Sequence, residues 1–211
     1  MPEKIGIMAD SHGKSDVIQG AISFLKEKEC TRLYHLGDIC DSGSPGTADS
    51  CVDLLERHGV IAVKGNNDHI VLVNHRDQPG EVVSQTTLDY LGNLAQTVEL
   101  ENVILAHSLP FVKELGPAGM IRTMGIDESD KFFNESPQSV LFRGHSHHPG
   151  IIYQDGADTV VESLSVGQQI DLSQRTPCVI TCGALISHLC MIWEPARKRS
   201  HCLSFPLPGP S

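Results

Sequence analysis

The sequence predicts an α/β domain whose later strands form a second sheet, and three observations support this prediction. Short apolar runs of strand length recur along the whole chain. Stretches with helical periodicity separate the first three runs, so the front half follows a β-α-β-α-β order. After Leu100 the strands follow one another closely, with little helix between them. The length of 211 residues suits one domain and is too short for two full ones.

The predicted elements can be placed in order along the chain. The predicted strands lie at residues 5–9, 33–36, 60–63, 103–106, 140–142, 151–153, 160–161, 179–180 and 189–193. The predicted helices lie at residues 15–29, 47–58, 127–135 and within 110–124. Between Val17 and Leu25, apolar residues recur at three- and four-residue steps, which is typical of a helix with one buried face. We expect one domain over residues 1–205, followed by a loose Pro-rich tail at 206–211.

The composition is that of a globular chain with an acidic charge balance. There are 16 Lys and Arg residues against 26 Asp and Glu residues, which gives a net charge of −10. This sign disfavours binding to duplex nucleic acid or to an anionic membrane. No apolar run approaches the ~18 residues of a membrane span, and no signal peptide is recognised, so we expect a cytoplasmic protein. The seven cysteines lack a short-spaced pair, which favours reduced thiols over a disulfide framework or a zinc ribbon.

Side chains that commonly bind metals follow five of the predicted strands. In chain order the motifs are Asp10-Ser11-His12, Gly37-Asp38, Gly65-Asn66-Asn67-Asp68, Ala106-His107-Ser108 and Gly144-His145-Ser146-His147. In an extended backbone, residues two apart point to the same side, so the two side chains of a DxH or HxH motif can converge. Ligands gather at the carboxyl ends of parallel strands, so we expect all five motifs at one edge of one sheet. Seven nitrogen and oxygen side chains suit two ions ~3.5–4 Å apart that share one carboxylate.

In this order, DxH, GD, GNxD, H and GHxH, the motifs resemble those of the calcineurin-like metallophosphoesterase superfamily, particularly its small prokaryotic phosphodiesterase branch. The resemblance covers roughly residues 5–195. It implies a four-layer α/β/β/α sandwich of two mixed sheets flanked by helices. It also implies one metal held by Asp10, His12 and His147, a second metal held by Asn66, His107 and His145, and Asp38 as the carboxylate that bridges them.

This donor set predicts a hydrolytic metal centre. Between two divalent cations, a bridging water loses its proton near neutral pH and becomes a hydroxide that can attack phosphorus. The cations also neutralise the phosphate oxygens, which gives an acidic protein a local positive field for an anionic substrate. Imidazole, carboxylate and amide ligands suit Mn, Fe, Ni, Co or Zn better than Ca, and the sequence does not choose among them.

Two positions depart from the pattern of the superfamily. Asn67 stands where protein phosphatases of the superfamily have His and the prokaryotic branch often has Cys. We expect Asn67 and Asp38 to be the catalytic residues, with Asn67 donating a hydrogen bond to the substrate, although an amide cannot act as a general acid. Ala106 replaces the usual Gly before the metal-binding His, which is a mild change wherever φ is negative.

Five further polar residues lie near the motifs. His35 is either a hydrogen-bonded core residue or a support for the site, and Asp68 either orients its neighbours or caps the next helix. His69 and His75 are either solvated or able to reach the leaving group. His148 should lie at the surface.

Residues 109–136 form a long connection after a ligand-bearing strand, so we expect a cap that selects the substrate. Within it, Lys113 and Arg122 either meet the substrate phosphate or are solvated. Four residues near the carboxyl end could form another metal site or simply belong to the core, namely His188, Cys190, His201 and Cys202.

The predicted function is metal-dependent hydrolysis of a small phosphate ester, with a phosphodiester favoured as substrate. Two alternatives share every metal ligand, a phosphomonoesterase and a dinucleoside polyphosphate hydrolase. A non-catalytic protein-binding scaffold could use the same fold, although all seven ligand positions carry competent side chains. A nuclease is disfavoured because no basic run or aromatic-basic stripe appears. The sequence leaves open whether the chain forms a homo-oligomer.

Overall fold

A computed structural model describes residues 2–78 and 80–206 of the chain. Two six-stranded mixed sheets pack face to face, and helices cover the outer side of each sheet. This is the α/β/β/α sandwich that the resemblance implies, so the predicted fold class is confirmed. Apart from Pro206, the predicted tail at 206–211 lies outside the described residues.

The described residues form twelve strands and seven α-helices. The strands are β1 (Ile5–Met8), β2 (Arg32–His35), β3 (Ile61–Ala62), β4 (Thr97–Leu100), β5 (Val103–Ala106), β6 (Val140–Arg143), β7 (Gly150–Asp155), β8 (Asp158–Ser163), β9 (Gln169–Asp171), β10 (Cys178–Thr181), β11 (Leu189–Glu194) and β12 (Arg199–Ser204). The helices are α1 (Ser15–Glu27), α2 (Ala48–Arg57), α3 (Asn66–His75), α4 (Gln85–Asn93), α5 (Val112–Leu115), α6 (Ala118–Ile121) and α7 (Ile126–Glu135). None of these described helices is long and apolar enough to cross a membrane.

Each sheet combines parallel and antiparallel neighbours. The first sheet has the strand order β3-β2-β1-β11-β12-β9, in which β1, β2 and β3 run parallel. The second sheet has the order β4-β5-β6-β10-β7-β8, in which β5, β6 and β10 run parallel. The metal-binding motifs follow β1, β2, β3, β5 and β6, so every one of them follows a parallel strand.

Three apolar layers hold the sandwich together. Ile7 of β1 points between the two sheets, where it is buried in one cluster with Phe142 of β6. Met8, on the opposite face of β1, packs in the cluster that contains Ile18 of α1. Phe132 of α7 covers the outer face of the second sheet. Full burial of a side chain of this size contributes ~1.5–3 kcal/mol, so the strands that lead to the motifs are anchored on both faces.

The structure differs from the sequence prediction mainly at edge strands and short helices. The prediction missed β4, β9, β12 and α4. β4 and β9 are edge strands: β4 has exposed or half-buried side chains and β9 buries only Ile170, so they lack the continuous apolar run that marks a buried strand. Within 110–124 the predicted helix is split into α5 and α6, because Gly116 and Pro117 interrupt it.

Candidate metal centre

The five motifs meet at one end of the sandwich, between the two sheets. β1, β2 and β3 of the first sheet end there, together with β5 and β6 of the second. The amide of His145, from the second sheet, donates to both carboxylate oxygens of Asp10, from the first, at 3.1 and 3.0 Å. The sequence predicts all five motifs at one edge of one sheet. This expectation is wrong, because the strands that the motifs follow divide between two sheets that face each other.

Asp10, His12 and His147 form the first donor cluster. Nε2 of His12 lies 3.1 Å from Nε2 of His147, which in turn lies 3.6 Å from Oδ1 of Asp10. Ligand nitrogens ~2.0–2.1 Å from one ion lie about 3 Å apart. The separations in this cluster therefore fit three ligands of a single divalent ion.

Asn66, His107 and His145 form the second donor cluster. Oδ1 of Asn66 lies 3.0 Å from Nε2 of His107 and 3.1 Å from Nδ1 of His145. The two ring nitrogens are themselves 3.1 Å apart. A triangle with edges of about 3 Å is again the spacing expected of three ligands around one ion.

Asp38 lies between the two donor clusters. Its Oδ2 is 3.8 Å from Nε2 of His12 in the first cluster, and its Oδ1 is 3.5 Å from Nε2 of His107 in the second. The carboxylate is buried, so its two oxygens are held in these directions by the surrounding protein. Each oxygen faces a different cluster, which is the geometry that a bridging carboxylate requires.

The motif residues converge through left-handed turns of the backbone. Positive φ angles between 44° and 67° occur at Asp10, His12, Asp38, His145 and His147. These are five of the nine non-glycine residues with positive φ among the described residues. The expected extended backbone is therefore wrong for the DxH and HxH motifs, although both pairs of side chains do converge. Such a conformation costs about 1 kcal/mol or more per residue and is concentrated at functional sites.

Close backbone approach explains two of the glycines in the motifs. A Cβ atom on Gly65 would lie 2.1 Å from the amide nitrogen of Asp38. A Cβ atom on Gly144 would lie 2.7 Å from Oδ2 of Asp10. Ala106, where the superfamily usually has Gly, lies inside β5 and does not have a positive φ, so its methyl group is tolerated.

Burial and hydrogen bonding keep the imidazoles in the form that binds metals. Nδ1 of His107 lies 2.8 Å from the Leu36 carbonyl oxygen, so Nδ1 carries the proton and Nε2 presents its lone pair to the site. Burial lowers the pKa of His107 to about 4. Burial also lowers the pKa values of His145 and His147. These rings are therefore neutral at neutral pH, as metal ligation demands.

The carboxylates create the complementary requirement for cations. Burial and the nearby Asp38 carboxylate raise the pKa of Asp10 well above its usual value. The same two causes raise the pKa of Asp68 to about 6. Three buried carboxyl groups thus crowd one end of the sandwich. Divalent cations would compensate their charge, and the oxygen and imidazole donors suit transition metals, so the residues fit the metals that the fold implies.

Asp68 fixes the loop that carries Asp38. Its carboxylate accepts hydrogen bonds from the amides of Gly65, Asp38 and Cys40, at 2.8, 3.0 and 2.9 Å. The bond from Gly65 caps α3, whereas the other two orient the loop after β2. Asp68 therefore both orients its neighbours and caps the next helix, the two roles that the sequence left open.

Asn67 contacts Asp38 through its amide group. Nδ2 of Asn67 donates to Oδ2 of Asp38 at 2.8 Å, and the backbone amide of Asn67 donates to Oδ1 at the same distance. The hydroxyl of Ser42 donates to Oδ1 of Asn67 at 2.7 Å and so fixes which end of the amide faces the site. The sequence analysis missed Ser42, and no pattern around it marks this role.

His35 lies beneath the first motif and is fully buried. Its Nε2 lies 3.0 Å from the hydroxyl of Ser11, which stands between the candidate ligands Asp10 and His12. Burial lowers the pKa of His35 to about 3, so the ring is neutral. His35 is therefore both a hydrogen-bonded core residue and a support for the motif loop, and the two alternatives do not exclude each other.

The remaining basic candidates lie at the surface of the described structure. The Arg122 side chain is 57% exposed and pairs with Glu128 at 3.8 Å. Lys113 and His148 are exposed, and His69 and His75 are half-buried on α3. None of these five side chains belongs to either donor cluster.

The His and Cys residues near the carboxyl end do not converge. Cys190 packs on the helical side of the first sheet, whereas Cys202 points between the sheets. His188 stacks on Phe205, with ring centroids 5.6 Å apart. Within the described chain these residues join no group of metal donors, so the core interpretation holds and the second-site interpretation is wrong.

The fold and the donor set define a metal-dependent hydrolase of phosphate esters. Residues 4–184 match the family model of the calcineurin-like phosphoesterase superfamily domain. Because the match spans most of the chain, the chain belongs to the calcineurin-like phosphoesterase superfamily. No curated protein matches the chain.

Solved structures share the fold at low sequence identity. A metallophosphoesterase from Sphaerobacter thermophilus has a TM-score of 0.78 and 18% identity, over 99% of this chain and 90% of that one. A hypothetical protein from Pyrococcus horikoshii has a TM-score of 0.67 and 10% identity, over 98% and 89%. An archaeal phosphodiesterase has a TM-score of 0.52 and 15% identity, over 95% and 99%. At these identities the likeness establishes the fold.

Proposed function

We propose that the chain is a phosphodiesterase that uses two divalent transition-metal ions to hydrolyse a small phosphate ester. The position of Asp38 carries this proposal, because its oxygens face separate donor clusters at 3.8 and 3.5 Å. A single ion would need only one of the two clusters. A carboxylate shared by ions ~3.5–4 Å apart is typical of binuclear hydrolytic centres.

Each ion would be held by side chains from both sheets. The first ion would take Asp10, His12 and His147, the second would take Asn66, His107 and His145, and Asp38 would bind both. When bound, the ions would supply a deprotonated water as nucleophile and would neutralise the oxygens of the phosphate. Mn, Fe, Ni, Co and Zn all suit these ligands.

Asn67 would bind the substrate. Its Nδ2 carries two hydrogens, of which one is given to Asp38 at 2.8 Å. The second remains for a phosphate oxygen, and Ser42 holds the amide so that this donor faces the site. Because an amide cannot protonate a leaving group, Asn67 favours substrates whose leaving group departs as a stable anion.

Hydrolysis of a dinucleoside polyphosphate is a second candidate function, and Asn67 favours it as well. The leaving group in that reaction is a phosphate, which needs no proton from the enzyme. A purely scaffolding role is disfavoured, because seven competent donors converge and the buried imidazole of His107 is kept neutral. A scaffold would gain nothing from five strained backbone positions at those donors.

We further propose that residues 109–136, within a single domain over residues 1–205, border the substrate. Burial lowers the pKa of the proposed ligand His145 and the nearby backbone of Ile121 opposes this, so this part of the segment reaches the metal centre. Phe132 and Phe133 anchor the other end on the second sheet. The segment would therefore act as a fixed border of the pocket.

A metal and substrate panel tests the proposal. The chain is stripped with a chelator, reloaded with Mn, Ni, Mg or Zn in turn, and assayed on bis(para-nitrophenyl) phosphate, para-nitrophenyl phosphate and diadenosine tetraphosphate. We expect two ions per chain and fastest turnover of the diester. Faster turnover of the monoester would contradict the phosphodiesterase assignment, and two bound ions without turnover of any substrate would contradict catalysis.

A further inference from the structure

Arg143 is a buried cation whose role the metal centre does not explain. It ends β6, two residues before His145, and only 2% of its surface is exposed. Among the described residues it has no ion pair, and its Nε has no hydrogen-bond partner. The carboxylate of Asp10 favours the charged form of Arg143 without pairing with it directly, and burial of a guanidinium group without a direct carboxylate partner is costly. An arginine at this position therefore needs a reason beyond packing.

Two hydroxyl groups hold the guanidinium. Nη1 donates to Oγ1 of Thr181 on β10 at 3.0 Å, and Nη2 donates to Oγ of Ser108 at 3.2 Å. Thr181 belongs to the same sheet and keeps Arg143 in place. Ser108 follows the proposed ligand His107 and begins the segment that borders the site.

Arg143 determines the direction in which the Ser108 hydroxyl donates. A guanidinium group has no acceptor, so the Ser108 oxygen must accept from Arg143. A hydroxyl has one hydrogen, and this hydrogen is given to the backbone carbonyl of Arg122. The buried cation thus orients a donor toward a carbonyl that lies 14 residues further along the chain.

That carbonyl belongs to the part of the border segment nearest to the metal centre. Residues 109–122 are called the rim here. The rim follows Ser108 along the chain, and its last residue, Arg122, is bonded to Ser108 again. The rim is closed by a second hydrogen bond, from the Leu109 amide to the Gly119 carbonyl at 2.9 Å. The backbone of Ile121, next to Arg122, lies near the ring of His145. The position of the rim relative to the proposed ligands therefore depends on the Ser108 bond.

We propose that Arg143 is a positioning residue which, through the Ser108 hydroxyl, fixes the rim beside the metal centre and so strengthens binding of the substrate groups that the rim contacts. The substrate part of this inference rests on the proposed function, whereas the structural part does not. Loss of the bond should loosen residues 109–122 and weaken binding of a bulky substrate. The metal ligands should keep their places, because the Ser108 hydroxyl bonds to Arg122 and Arg143 and to none of them.

The test compares Ser108→Ala with Thr181→Val in the full metal-loaded chain. Both variants remove one hydroxyl partner of Arg143, but only Ser108→Ala removes the link to the rim. We expect Ser108→Ala to increase amide hydrogen exchange in residues 109–122 and to raise KM for bis(para-nitrophenyl) phosphate about three- to tenfold, with kcat nearly unchanged. Thr181→Val should change both less, because Arg143 keeps its bond to Ser108, and Ser108→Thr, which keeps a hydroxyl, should restore both.

Three results would overturn the proposal. Unchanged exchange in the rim of Ser108→Ala would show that the bond does not position it. Equal effects of Ser108→Ala and Thr181→Val would show that only burial of Arg143 matters. Loss of metal or of the fold in Ser108→Ala that Ser108→Thr restores would assign the hydroxyl a different role, in the metal site or in stability. If the wild-type chain hydrolyses no phosphate ester, the proposed function fails, and the exchange comparison still decides whether the rim is positioned in this way.

Discussion

Asn67 donates to both carboxylate oxygens of Asp38, through its backbone amide to Oδ1 and through Nδ2 to Oδ2, each at 2.8 Å. One residue therefore sets the orientation of the carboxylate that lies between the two donor clusters. The two oxygens are directed toward His107 and His12, at 3.5 and 3.8 Å. Because Asn67 also offers the proposed contact to phosphate, metal spacing and substrate position are coupled through this pair.

Removal of one imidazole at a time should deplete one ion at a time. His145→Ala removes a ligand of the second cluster and His147→Ala removes one of the first, so each variant should fall from two tightly bound ions toward one. Elemental analysis after dialysis measures this content. His148→Ala is the matched control, since His148 is the exposed neighbour and should retain both ions. Loss of both ions in each variant would show that the clusters do not bind independently.

Metal binding should release protons, and the release should decrease as pH rises. Burial and the charge of Asp38 raise the pKa of Asp10. In the metal-free protein the Asp10 carboxyl group therefore stays protonated to a higher pH than an ordinary Asp. A cation binds only the ionised form, so apparent affinity should increase with pH. The proposed imidazole ligands His107, His145 and His147 contribute little to the release, because their pKa values are lowered.

Calorimetry in two buffers of different ionisation enthalpy measures this release, at about pH 6 and about pH 8. We expect more protons released per ion at the lower pH. In Asp10→Asn the release should be reduced along with the affinity. Equal release by the unmodified protein and Asp10→Asn at both pH values would show that Asp10 is already fully ionised in the metal-free protein.

The rate should depend steeply on the pKa of the leaving group. Asn67 cannot donate a proton, and general acid catalysis contributes about 10²–10⁴-fold, so alkyl diesters should lag well behind aryl diesters. Asn67→His should flatten this dependence if the new imidazole reaches the leaving oxygen. Asn67→Ala removes the amide donor without adding a group that can donate a proton and serves as the comparison. Equal turnover of alkyl and aryl diesters, with chemistry rate-limiting, would reveal a proton donor elsewhere, such as His69 or His75.

The order and type of the metal donors could be predicted from the sequence, whereas the way they converge could not. Asp10 and His12 stand at the end of an apolar run, and the run itself identifies the strand. Their positive φ angles carry no sequence signal, because neither residue is the glycine that usually marks a left-handed turn. The side chains of Asp10 and His12 do converge as predicted, but through left-handed turns and not through the predicted extended backbone.

Contacts between distant parts of the chain account for most of the rest. Ser42 reaches Asn67 over 25 residues, and Ser108 reaches Arg143 over 35. Serine is common in turns, so neither Ser42 nor Ser108 stands out in the sequence. Arg143 does leave a signal, because a charged residue closes the apolar strand Val140–Arg143, which is buried throughout. A buried charge of this kind is the best guide to a hidden contact.

The structure also changes how the border segment should be probed. The cap that the sequence predicts at residues 109–136 implies that the segment can be replaced with an effect mainly on substrate preference. Phe132 and Phe133 are buried against the second sheet, and loss of such aromatic side chains costs about 3–5 kcal/mol each. Deletion of the whole segment would therefore unfold part of the core. Changes confined to the rim separate substrate preference from stability.

The most direct measurement of the central claim is the metal content and activity of Asp38→Asn. The amide keeps the size of the side chain but supplies no negative charge to either ion, so we expect loss of at least one ion per chain and a fall in kcat of about 100-fold or more. Asp53→Asn is the matched control, because Asp53 lies on α2 with a side chain that is 60% exposed, and it should behave as the wild type. Retention of two ions and of normal turnover in Asp38→Asn would contradict the account of Asp38 as the bridge between two metals.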